Sequence, residues 1–127
     1  MKYFISVMLV ITGIIHLLPL SGVLGAEKLS SLYGGSFADP NLAILMRHRA
    51  VLFGLLGAYL IAAAFWPALQ PVALGAGVVS VTSFLWLAWA VGGYNAQIAR
   101  IVVADRVALG CLLAAVVAYT IIAHGKQ

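Results

Sequence analysis

Five of the ten charged side chains in this chain, Arg47, Arg49, Arg100, Asp105 and Arg106, stand inside or at the rim of long apolar runs. A charge at the centre of a bilayer costs about 2.5–3.5 kcal/mol on insertion scales, so one kept there usually has a partner, a ligand or a short way out. Four guanidinium groups against one carboxylate leave an excess of positive charge. Their planar forks suit a lipid phosphate, a carboxylate or a polarised quinone oxygen. Arg47 and Arg49 lie about 200° apart round a helix, so at least one of them faces inward. Asp105 is expected to pair with that one. Arg47 and Arg106 can instead snorkel to lipid phosphates.

His16 shares a helix face with Thr12 and Gly13 in the first apolar run. A hydrogen bond to a neighbouring helix explains it most simply. Paired with His48 it would offer two ligands to haem or a metal. However, His48 is flanked by arginines, and neither a CxxCH nor an HxxxH pattern nor a carboxylate cluster accompanies the pair. Ser80, Thr82, Ser83, Trp86 and Trp89 line the third run. Its two tryptophans suit either an aromatic wall for an amphiphile or an interfacial belt. Asn95 stands in the turn that follows. The candidate ligand-binding set is thus His16, Arg47, His48, Arg49, Trp86, Trp89, Asn95, Arg100, Asp105 and Arg106. No recognisable catalytic motif lies among these residues. No cofactor is expected from them, with quinone and haem the only groups worth weighing.

Composition sets the elements that must position these residues. Of 127 residues 65% are hydrophobic and 8% charged, where a soluble domain carries about 25% charged residues. Mean hydropathy is +1.13. This is the composition of an integral membrane protein. A net charge of +4 argues for anionic lipid headgroups rather than nucleic acid, because no soluble domain exists to present a basic face. Cys111 is the single cysteine. It excludes an intramolecular disulfide and dithiol redox chemistry, and reads as a small buried hydrophobe.

The pattern predicts an all-α, single-domain, antiparallel four-helix bundle in up-down-up-down order, with spans over about 3–22, 41–66, 72–91 and 97–124. The first run is long for a signal-peptide core and is broken by His16, so it reads as a span. Residues 23–39 form an interfacial loop, with a short amphipathic helix expected over 26–33. Asp39-Pro40 reads as an N-cap followed by a first-turn proline. Pro67 to Pro71 and Gly92 to Asn95 make the two remaining turns. Small residues at Gly54, Ala58 and Ala62, at Gly75, Val79 and Ser83, and at Ala104, Ala108 and Ala115 are expected to face other helices.

This order places the 23–39 loop and the 92–95 turn on one side, called side B, and both termini on side A. The charged set, His16 and the two tryptophans all fall in the side-B half. Counting the arginines as flanking charges puts side B in the cytoplasm. If they are buried they drop out of the count, and Lys2 and Lys126 then put the termini there. The second option is preferred, because Lys2 directly precedes the first span.

Gly13-Ile14-Ile15-His16-Leu17-Leu18-Pro19, then Asp39-Pro40-Asn41-Leu42 leading into Arg47-His48-Arg49 and Gly54-Leu55-Leu56-Gly57, together with the four-span layout, resemble the small bacterial inner-membrane proteins grouped as DoxX-like. The resemblance covers most of the chain and implies the four-helix fold, with Arg49 or Arg47 as the group's helix-two arginine. Quinone-linked redox roles and membrane accessory roles have both been attributed to that group. A nucleotidyltransferase is excluded, since neither an HxGH motif nor a nucleotide-binding α/β domain is present. The expected function is accessory: binding of an anionic amphiphile, lipid or quinone, at a cationic side-B pocket. Rival readings are a quinone- or haem-linked redox subunit, and a small transporter or subunit of a larger membrane complex. Membrane lipids, a second copy or a larger complex are the expected partners.

Overall fold

The computed structural model describes residues 2–18 and 39–125. Four helices and a short 3-10 turn make up the described chain: α1 (Lys2–Leu17), α2 (Pro40–Phe65), the turn Pro67–Leu69, α3 (Gln70–Val91) and α4 (Ala96–Gly125). Among the described residues there is no strand. The end of the expected first span and all of the expected interfacial loop except Asp39 lie outside the described residues.

Local chemistry sets the boundaries. The Asp39 carboxylate accepts from the Asn41 backbone N–H at 3.0 Å and caps α2 ahead of Pro40. Trp66 closes α2 in an extended conformation, with its N–H donating to the Ala62 carbonyl. α3 begins at Gln70, two residues before the expected start. Pro71 permits this, because in a first turn its missing N–H has no intrahelical partner to lose. Gln70 also ties the turn down, donating from Nε2 to the Ala63 carbonyl at 3.2 Å. Gly92 and Gly93, with φ of 66° and 65°, make the turn before α4. Glycine has no Cβ to clash in that left-handed region.

α1 packs on α2 and α4, and α3 packs on the same two, so the helices form a closed ring with α1 facing α3 and α2 facing α4. Contacts between α1 and α2 run in opposite chain order. Ser6 Oγ donates to the Ala64 carbonyl at 2.7 Å, Gly13 meets Gly57, and His16 meets Phe53. α3 runs back along α2 in the same way, from Gln70 against Ala63 to Gly77 against Leu60 and Phe84 against Arg49. Leu9, Leu60, Val81 and Leu112 fill the centre.

Three segments, Pro40–Phe65, Pro67–Val91 and Ala96–Gly125, are long and apolar enough to cross a membrane; Tyr3–Leu17 is apolar but shorter. Their outer faces are apolar too, with Leu52, Leu55, Val72, Val79, Leu113 and Val117 exposed. Helices apolar on every face suit lipid or the interior of a large protein.

The small-residue faces fall differently from the sequence pattern. On α2 the inward stripe is Ala50, Gly54, Gly57, Leu60 and Ala64, while Ala58 is exposed. Gly54 therefore faces inward and gives no outward face for a partner subunit. On α3 the inward positions are Ala73, Leu74, Gly77 and Val81, whereas Gly75, Val79 and Ser83 are exposed. Ala108 and Ala115 of α4 are buried as expected.

Candidate functional site: a cavity floored by Arg49

The inward positions of α4 are Val102, Asp105, Ala108, Leu112, Ala115 and Ala118. Their spacing of three and four residues makes one helical face, and Asp105 belongs to it. Arg106, about 100° further round, is exposed, as is Arg100. On α2 the two arginines divide in the same way: Arg47 is exposed and Arg49 is half-buried.

Arg49 is held between aromatic rings. Its guanidinium carbon stands 4.4 Å from the centroid of Phe53 and 5.9 Å from that of Phe84. A guanidinium over a ring face gains about 0.5–2 kcal/mol, more when desolvated. Its positive charge acts on the Asp105 carboxylate from across the ring of helices. Asp105 is only 9% exposed. Arg49 is thus the arginine whose charge acts on Asp105.

Behind Phe53 lies His16, 2% exposed, with ring centroids 5.6 Å apart. Its Nδ1 stands 2.9 Å from the Thr12 carbonyl. That carbonyl can only accept, so Nδ1 carries a proton. Its Nε2 stands 3.2 Å from Ser80 Oγ on α3 and, in the neutral ring, accepts from that hydroxyl. The His16–Ser80 bond thus links α1 to α3 across the ring.

In front of Arg49 opens a cavity of about 410 Å³. Met46 and Arg49 enter it from α2, and Phe84, Leu87, Ala88 and Val91 from α3. Gly92 and Tyr94 of the turn and Ile98 of α4 complete it. Along both helices Arg49 and Phe84 are the lining residues furthest from the 92–95 turn, so they form the floor. Among the described residues Arg49 is the only charged side chain that lines it.

The rest of the expected set is not gathered at this cavity. Trp86 and Trp89 are 62% and 80% exposed. The cavity face of α3 is the 84, 87, 88 and 91 series, and Trp86 lies about 200° from Phe84. Arg47, Arg100 and Arg106 are exposed and do not line it. The positive charge at the cavity is thus a single arginine at the floor rather than a cluster of arginines at the mouth. Asn95 caps α4, its side-chain oxygen accepting from the Ile98 N–H at 2.9 Å. His48 is exposed while His16 is buried with both ring nitrogens engaged, so the two do not meet as ligands of one haem. Among the described residues no group of three His, Cys, Asp or Glu side chains is placed to hold a metal ion. Phe53 and Phe84, which hold Arg49, carried no mark in the sequence beyond their apolar surroundings. The spacing from Arg49 to Phe53, one helical turn, was the available signal.

No family model, curated protein or solved structure matches the chain.

Proposed function

We propose that this chain is a multi-pass membrane protein of the DoxX-like kind, an antiparallel up-down-up-down bundle in a bacterial inner membrane. In this reading it binds an anionic amphiphile, a lipid or a quinone in its polarised form, in an accessory and non-enzymatic role. The observation that carries the reading is the cavity: one guanidinium at the floor, apolar and aromatic walls above it. A ligand of matching chemistry enters head first. Its anionic or polarised oxygens meet Arg49, and its apolar remainder lies along Leu87, Val91 and Ile98 toward the 92–95 turn. A cavity of this size falls within the range of about 300–1,000 Å³ typical of ligand pockets.

Native mass spectrometry with extraction of bound lipids and quinones, on wild type and Arg49→Ala, tests this. The expected result is one retained amphiphile class in wild type, lost in the variant, with unchanged helicity by circular dichroism. Identical retention in both proteins overturns the reading and moves attention to partner chains. Should Arg49→Ala fail to fold, because it strands the buried carboxylate, the double variant with Asp105→Asn removes that charge and keeps the test.

A further inference from the structure

The cavity floor has a second charge behind it. Asp105 does not line the cavity, yet it is buried on the inward face of α4, two turns beyond the cavity-lining Ile98 on the same helical face, and Arg49 is the opposite charge that acts on it. With the site empty, carboxylate and guanidinium offset each other. An anionic head docked on Arg49 brings a second negative charge to the same positive one. In a poorly screened interior that repulsion is much larger than in water. The charge at the floor is balanced again when the carboxylate takes up a proton.

We infer that binding of an anionic amphiphile at Arg49 is coupled to the uptake of one proton by Asp105. The step converts the Asp105 carboxylate and one proton from water into a carboxylic acid; no bond in the ligand changes. The inference rests on the reading of the cavity as a binding site.

The groups that face Asp105 leave few other sources for such a proton. From α2 the charge that acts on it is Arg49, which stays protonated. From α1 the titratable side chain on this level is His16, separated from Arg49 by Phe53. α3 carries no titratable side chain. On α4 itself Arg100 and Arg106 are exposed and always charged.

The test uses purified protein in detergent micelles and pyrene-labelled phosphatidylglycerol, whose phosphodiester stays ionised from mildly acid to mildly alkaline pH. Fluorescence anisotropy gives the affinity at each pH for wild type, Asp105→Asn and His16→Gln. Uptake of one proton predicts a loss of about tenfold in affinity per pH unit over the range where Asp105 is ionised in the empty site and protonated in the occupied one. Asp105→Asn should bind at every pH as wild type does at the acid end, and His16→Gln should keep the wild-type slope. A flat wild-type profile overturns the coupling, and does so whether or not the variants fold. A slope that survives Asp105→Asn, or one lost only in His16→Gln, also overturns it. Tight but pH-independent binding leaves the binding site standing without the proton. Failure of wild type to bind at any pH overturns both.

Discussion

His16 shows what a single buried polar residue can do in this ring of helices. α1 and α3 face each other without being packing neighbours, and its 3.2 Å bond to Ser80 crosses between them. Hydrogen bonds between membrane helices contribute about 0.6 kcal/mol on average by double-mutant cycle. We expect His16→Phe and Ser80→Ala each to destabilise the folded protein, with a coupling of about 0.5–1.5 kcal/mol between them. Reversible unfolding in mixed micelles measures this cycle. Strictly additive losses would mean that the two side chains act separately. The histidine's role was legible in the sequence: a lone histidine on a face with Thr12 and Gly13 points to a neighbouring helix. Its partner was not, because Ser80, Thr82 and Ser83 all stand on α3, and only the rotation of α3 selects one of them. The same rotation turns Trp86 and Trp89 outward, which removes the pocket-wall alternative and leaves that of an interfacial belt. Arg49 was half legible. The 200° offset from Arg47 required one inward arginine, and the phase of α2 made it Arg49.

At the scale of elements, α1 and α2 approach backbone to backbone at Gly13 and Gly57. A Cβ placed on Gly57 would stand 2.7 Å from the Gly13 carbonyl oxygen, and one on Gly13 would stand 2.9 Å from the Gly57 carbonyl oxygen. Those atoms are backbone and cannot move aside without separating the helices. Gly57→Ala should therefore destabilise by about 1–3 kcal/mol, the usual cost of overfilling a packed contact. Gly75 and Gly110 are helical glycines with open space where a Cβ would be. Alanine at either should be neutral, or stabilising by up to about 1 kcal/mol through helix propensity. Thermal unfolding of the three variants in the same detergent compares them directly, and equal behaviour would show that no close crossing exists. The sequence offered Gly13 and Gly57 within its GIIHLLP and GLLG segments. The step-of-four pattern through Gly54, Ala58 and Ala62 nevertheless misled, because each step of four advances about 40° round the helix and soon leaves the face. The real stripe on α2 mixes steps of three and four. The four long helices, by contrast, were legible, since caps and prolines act locally: Asp39 with Pro40 began α2, Pro67 ended it, and Gly92 with Gly93 ended α3.

For the whole molecule, the exposure of the arginines bears on which way the bundle faces. The preference for cytoplasmic termini depended on the side-B arginines being buried and so dropping out of the charge count. The structure draws only Arg49 inward, while Arg47, Arg100 and Arg106 stay exposed. These are three basic residues toward the 92–95 turn; the sequence order expects Lys28 with them and Lys2 and Lys126 on the opposite side. In the proposed membrane reading the positive-inside bias then predicts a cytoplasmic 92–95 turn and an external Pro67–Leu69 turn. Ala68 and Ala96 are exposed at these two opposite turns, so cysteines there report the two sides. In a background where Cys111 is replaced by alanine, an impermeant maleimide added to intact cells should label Ala68→Cys. It should reach Ala96→Cys only after the cells are opened. The reverse pattern would show that Lys2 at the first span outweighs the arginines. Labelling of both from outside would overturn the up-down-up-down arrangement, because one crossing by α3 must separate the two turns. In the expected orientation the cavity opens near the cytoplasmic face. That is the leaflet richest in anionic headgroups, where an arginine-floored cavity would meet its ligand at the highest local concentration.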